Sequence, residues 1–145
     1  MTTPLMAILE RGTIRVDYGT VDFESAVRGL LAQSLIERGV SSDRIDQIVE
    51  AVQRREETGS TCSGPIALPH ARVDGIPGIV AGLGVNANGI WPQADTRVML
   101  AFVTPTDAAG DHLRFLSSAA KTLRDQQLLS RILEAPTRAD LLALL

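Results

Sequence analysis

Two short apolar runs, Ile79–Val85 and Arg97–Val103, constrain this chain more than any other feature. After Arg97 neither run contains a polar residue, and each has the length of a strand, not of a helix. Between them lies the turn-rich stretch from Asn86 to Asp95. A strand that is apolar at successive positions has to be covered on both faces, which calls for helices above and below a sheet. The flanking sequence reads that way.

Thr13 to Val16 alternates like a short strand. Phe23 to Arg38 then places Phe23, Ala26, Val27, Leu30, Leu31 and Leu35 on one helical face, with Asp22 as a natural N-cap and Gly39 as a stop. A second helix, about Ser42 to Glu57, turns Ile45, Ile48, Val49 and Val52 inward. Ser41 or Ser42 caps it, and Thr58-Gly59 ends it. Ser60 to His70 is a loop of small residues holding one brief apolar piece, Ile66-Ala67-Leu68. Beyond Pro105 the pattern is helical: His112 to about Arg124, then a shorter piece with Leu128, Leu129, Ile132 and Leu133, then a last helix from near Thr137. The expected fold is α/β, three layers α/β/α with a small mixed β-sheet flanked by helices, and residues 1–145 as one domain.

Charge and composition narrow the function classes. A net charge of −3 and only 3% aromatic residues argue against a nucleic-acid reader, which needs a basic face and stacking rings. The one cysteine, Cys62, excludes an internal disulfide and fits a reducing compartment. The N-terminal residues lack a basic and apolar leader pattern, and no apolar run approaches the roughly 20 residues that span a bilayer, so a cytoplasmic protein without membrane insertion is expected. No Walker A loop, G-x-S-x-G elbow or dinucleotide fingerprint is present, and Gly82-Leu83-Gly84 is too short to count as one. Two histidines and one cysteine do not make a dedicated zinc site. Neither a cofactor nor a metal is expected.

Three residues remain as candidates for chemistry. His70 follows Pro69, which stiffens the chain just before the imidazole, and lies beyond a loop whose small residues let a phosphate approach the backbone. His112 follows Gly110-Asp111 and opens a helix, with Asp111 as its natural N-cap; there the dipole biases the ring toward neutrality. Arg55 ends the second helix and leads into the small-residue loop, where it either faces solvent or forks onto a phosphoryl oxygen. A boundary histidine is more often a solvated or capping residue. Cys62, by default, is a small buried thiol.

Taken together, Arg55-Glu56-Glu57-Thr58-Gly59-Ser60-Thr61 and Ile66-Ala67-Leu68-Pro69-His70 resemble the signature of the fructose/mannitol-type enzyme IIA domains of the bacterial phosphotransferase system. Asp111-His112-Leu113-Arg114-Phe115-Leu116 resembles that family's second landmark, and the C-terminal run to Leu145 matches in pattern. The resemblance implies the enzyme IIA fold and a phosphotransferase component. His70 would be the phospho-acceptor, His112 would hold the ring or the phosphoryl oxygens, and Arg55 would offset charge. Hydroxyls of Ser60 or Thr61 would add donors. The implied donor is a phosphorylated histidine-containing phosphocarrier protein, and the implied acceptor is enzyme IIB or a regulatory target. With no attached transporter domain, the chain is more similar to the nitrogen-regulatory branch than to a permease-linked sugar domain.

Two departures flank the acceptor. Cys62-Ser63-Gly64-Pro65 is one residue shorter than the family's loop, and Ala71 stands where the family generally has glycine. They motivate a second reading, a phosphorylation-independent binding module that keeps the fold without turnover. A third reading is a thiol enzyme built on Cys62.

Overall fold

The computed structural model of the chain describes residues 4–92 and 95–145. Its elements, in order, are α1 (Pro4–Glu10), β1 (Thr13–Val16), α2 (Phe23–Glu37), α3 (Ser42–Thr58), β2 (Ile66–Ala67) and β3 (His70–Val73). These are followed by β4 (Val80–Val85), β5 (Val98–Pro105), α4 (Ala109–Leu123), α5 (Gln126–Glu134) and α6 (Arg138–Leu144). The two apolar runs become β4 and β5, which pair antiparallel at the centre of the sheet with Gly82 opposite Ala101. Strand β1 lies parallel on the outer side of β4, and β2 and β3 both lie parallel along the other side of β5. The sheet is therefore mixed, as expected.

Side chains of β5 alternate between two cores, as the two-residue period of a strand requires. Met99, Ala101 and Val103 join the core beneath α2 and α3, and Val98, Leu100 and Phe102 join the core beneath α1, α4, α5 and α6. Helices thus cover both faces, giving the three layers. All of β4 and all of β5 but Pro105 are buried. Each large aliphatic side chain removed from water in this way is worth about 1.5–3 kcal/mol before entropy is counted. Among the described residues, no helix is long and apolar enough to cross a membrane.

The helix ends follow the side chains that cap them. Asp22 accepts from Ser25 N at 2.9 Å, Ser41 from Arg44 N at 3.2 Å, and Thr137 from Asp140 N at 3.2 Å. Each such cap typically contributes about 1 kcal/mol. Asp111 is a correction. The fourth helix starts at Ala109, its N-cap is Ala108 with no side-chain cap bond, and Asp111 sits inside the first turn, paired with Arg114. Three elements, α1, β2 and β3, were not foreseen. Helix α1 has only two buried residues, Leu5 and Leu9, too few to show a period in sequence. The loop from Ser60 to His70 contains β2 and the first residue of β3, short pieces held by pairing with β5.

The Gly82-Leu83-Gly84 triplet has a packing reason. Leu83 enters the core under α1 and α4, while Gly82 and Gly84 face α2 and Tyr18. A Cβ on Gly82 would overlap the Leu30 carbonyl, and one on Gly84 would overlap the Tyr18 ring. Removing both side chains lets α2 seat directly on the sheet. Gly82→Ala is expected to destabilise by about 1–3 kcal/mol, measured as a lower urea midpoint at unchanged m. Gly19→Ala, where a Cβ meets open space, should leave the midpoint in place.

Candidate functional site

Strands β2 and β3 form one edge interrupted at Leu68-Pro69. Donors of β5 are served on both sides of the interruption: Val98 N donates to Pro65 O at 3.0 Å and Phe102 N to Pro69 O at 3.0 Å. Pro69 has no N–H to offer, and a strand edge tolerates that. The chain bends there enough for the next ring to turn back, and His70 Nδ1 lies 2.7 Å from Leu68 O. A carbonyl only accepts, so Nδ1 carries the proton. In the neutral ring the free lone pair is then on Nε2.

The ring is fixed on its other sides by β5 and α4. His70 is in register with Phe102 and stacks on it, with centroids 4.9 Å apart and planes 11° apart. Phe102 is held in turn edge-on by Phe115 at 4.8 Å. Two residues along β5, Thr104 Oγ1 lies 2.6 Å from His112 Nδ1. That places the His112 ring 5.2 Å from the His70 ring, centroid to centroid. One phosphoryl group can touch both at that separation. The backbone N–H of His112 is already bonded to Ala108 O at 2.9 Å, so the imidazole, not the amide, faces the site.

His70 and His112 are only 5% and 7% exposed. They line a cleft of about 300 Å³ together with Ala51, Arg55, Ala71 and Arg72. Burial holds the His70 imidazole below its ordinary pKa, and the Arg55 charge adds to this. The bond to Leu68 O and the Glu56 carboxylate push the other way. Burial lowers His112 as well, joined by the charges of His70, Arg72 and Arg55. Both rings are therefore neutral near pH 7, the state in which an imidazole is a nucleophile. Arg55 lies in the last turn of α3 and spends one nitrogen, Nη1, on Gly59 O at 3.0 Å and Thr58 Oγ1 at 3.5 Å.

Ser60 and Thr61 line a second cavity, of about 290 Å³, that also reaches His70 and Arg55. Their donors are committed to one carboxylate. Glu56 Oε1 accepts from Ser60 Oγ at 3.1 Å and Thr61 N at 2.7 Å, and Oε2 accepts from Thr61 Oγ1 at 2.6 Å. The shortened segment beyond closes as a two-residue turn, with Ser63 N on Ile66 O at 2.8 Å and Gly64 at φ 57°. Cys62 is exposed, not the buried thiol expected of it. Its Sγ lies 3.8 Å from Glu56 Oε1, and no hydrogen bond joins it to His70 among the described residues.

The structure thus brings His70, His112 and Arg55 to one cleft and turns the hydroxyls of Ser60 and Thr61 toward Glu56. Sequence reading passed over Glu56, Thr104, Phe102 and Arg72. Glu56 and Arg72 had a visible signal, one residue after Arg55 and two after His70. Thr104 and Phe102 look like ordinary strand residues until the register with β3 is known.

The fold is a layered mixed-sheet domain with two neutral imidazoles and two arginines lining one cleft. The family model for the phosphoenolpyruvate-dependent sugar phosphotransferase system, EIIA 2, matches residues 7–145, and the chain belongs to that family. It is 31% identical over 120 residues to the fructose-specific EIIA component of Haloferax volcanii, covering 79% of this chain and 77% of that one. It is 29% identical over 107 residues, 69% of its length, to the 2-O-alpha-mannosyl-D-glycerate-specific EIIABC component of Escherichia coli, of which it spans only 16%. Among solved structures it is similar to the nitrogen regulatory protein IIA-Ntr of Neisseria meningitidis, with TM-score 0.79, 18% identity and coverage of 98% and 99%. It is also similar to a chain in the complex of enzyme IIAMTL with phosphorylated IIBMTL from E. coli, with TM-score 0.70, 18% identity and coverage of 91% and 92%. At these identities the solved structures establish the EIIA fold.

Two outcomes follow from the site's own bonds. Glu56→Ala strands three donors, so amide exchange at Thr61 should accelerate and stability should fall by about 1–3 kcal/mol. The depressed histidines make the unfolded chain bind more protons on the acid side. Their contribution to stability is complete above about pH 6.5 and is lost as pH falls toward the lower folded values. Urea midpoints measured across that window should decline for wild type and decline less for His70→Gln.

Proposed function

We propose that this chain is a phosphocarrier whose His70 accepts a phosphoryl group from a phosphorylated histidine-containing carrier protein and passes it to an EIIB protein or a regulatory target. The observation that carries the reading is the bond from His70 Nδ1 to Leu68 O, which leaves Nε2 unprotonated in a cleft shared with His112 and Arg55. In the transfer, the Nε2 lone pair forms a bond to phosphorus. The bond from phosphorus to the donor's imidazole nitrogen breaks, and its electron pair stays on the donor ring. His70 keeps its Nδ1 proton, so the phosphorylated ring gains positive charge, which the Leu68 carbonyl is placed to accept.

In the tautomer this reading uses, the Thr104 hydroxyl donates to His112 Nδ1 and His112 presents Nε2–H to a phosphoryl oxygen. Arg55 has further N–H groups for the same oxygens. The catalysis asked of the protein is positioning and charge compensation. Ser60 and Thr61 contribute indirectly, by holding their loop on Glu56. A donor protein has to reach a ring that is 5% exposed. The groove along α4 offers it Leu113, Leu116, Ala120, Lys121 and Arg124, and three of these (Leu116, Ala120 and Arg124) also line the cavity at His70. The reading without turnover rests on the shorter loop and Ala71, but the loop closes in a tight turn and Ala71 lines the cleft that holds both imidazoles, which favours transfer. A cytoplasmic location fits such partners.

The test is incubation with phosphoenolpyruvate and the general phosphotransferase proteins, followed by intact mass. Wild type should gain one acid-labile phosphate, His70→Ala none, and Cys62→Ala as much as wild type. His112→Ala should react about 10²–10³-fold more slowly. The wild-type rate should hold as pH falls to about 6.5 and drop only below it, because a protonated imidazole has no lone pair. Equal uptake by His70→Ala would sink the proposal.

A further inference from the structure

Arg72 is the charged group of the cleft that the known landmarks leave without a role. It follows His70 by two residues on β3, so the strand's alternation puts both side chains on one face. The register with β5 sets His70 beside Phe102 and Arg72 beside Thr104, and Thr104 is the residue that holds His112. Arg72 Nη2 is tied to Thr106 O at 2.8 Å, which anchors the guanidinium at the end of β5. It lines the same cleft as both imidazoles and Arg55, and its charge is felt at His112. No carboxylate lies within ion-pair distance of Arg72 or Arg55 among the described residues.

We propose that Arg72 is a second phosphoryl-binding arginine, opposite Arg55, so that the group on His70 is held between two guanidinium groups. This rests on the reading of His70 as acceptor. The His70 ring gains its positive charge only once the bond to phosphorus has formed, so a dianion arriving at two neutral rings is half compensated by one arginine, whereas two match its charge. Each guanidinium has five N–H donors in a planar fork, and the bonds they already make leave most of these free. A group compensated on both sides is retained longer. Arg72 therefore slows the loss of phosphate from His70 to water as well as speeding its arrival.

The experiment compares wild type, Arg72→Gln and Arg72→Lys in the coupled phosphoenolpyruvate assay, with the carrier protein as varied substrate. Arg72→Gln should lower kcat at least about tenfold with KM for the carrier within twofold, and Arg72→Lys should recover part of the loss. Isolated phosphorylated Arg72→Gln should lose its phosphate faster than wild type. Thermal unfolding of all three separates this role from the tie to Thr106. A fall in melting temperature with kcat unchanged would mean a purely structural arginine and overturn the proposal. A second probe does not depend on transfer. Millimolar inorganic phosphate should shift the imidazole resonances of His70 and His112 in wild type, and at least fivefold more should be needed in Arg72→Gln. No shift in wild type, or equal titrations, overturns the two-arginine seat. Failure of His70 to take up phosphate in the coupled assay would instead count against the acceptor reading itself.

Discussion

The hydrogen bond from His70 Nδ1 to the Leu68 carbonyl is short, local and reaches only two residues back along the chain. It exists because the edge strand breaks at Pro69, and it has three consequences. It fixes the tautomer, because a carbonyl cannot donate. It fixes the ring plane, which stacking on Phe102 then keeps. It also gives a buried ring an acceptor for its one N–H, so the imidazole can sit at 5% exposure without an unsatisfied donor. In the proposed transfer His70 needs no separate base, since its Nε2 is already bare at neutral pH.

Burial and charge work against each other around that ring, and the site resolves the conflict by position. The imidazoles are deep and neutral, and burial itself is the first cause of their neutrality. The two arginines that line the cleft with them sit on exposed positions, where keeping a charge costs little. In the proposed transfer an incoming dianion meets neutral rings inside and cations at the lip. The same arrangement disfavours a protonated resting histidine, because burial penalises the charge and Arg55 lies near both rings.

What could be read from the sequence divides along the same physical lines. The helices α2 and α3 were legible because each repeats apolar residues over several turns, and β4 and β5 because a short unbroken apolar run has few alternatives. The cores followed from those patterns. Helix α1, with two buried leucines, and the two-residue β2 carry too little pattern to be recognised, and exist only through partners distant in sequence. The site divides likewise. His70, Arg55 and His112 were visible through local motifs. Thr104 and Phe102 were not, because their relation to the histidines is a register between strands about thirty residues apart. Asp111 was misjudged because helix starts depend on backbone angles as well as on capping side chains, and this helix begins three residues earlier without one.

Register also explains what holds His70 in place beyond the loop. Pro65 O and Pro69 O are both bound by amides of β5, those of Val98 and Phe102, four residues apart on each strand. From Pro65 onward the chain is in phase with the central strand, and His70 has no freedom to slide. Upstream of Pro65, Ser63 and Ile66 close a tight turn about Gly64. Between that turn and α3, the Glu56 carboxylate gathers Ser60 and Thr61 and ties the loop to the helix that carries Arg55. Two anchors thus bracket the segment, one on the sheet for His70 and one on α3 for Arg55. A length change between them is expected to leave both side chains in place.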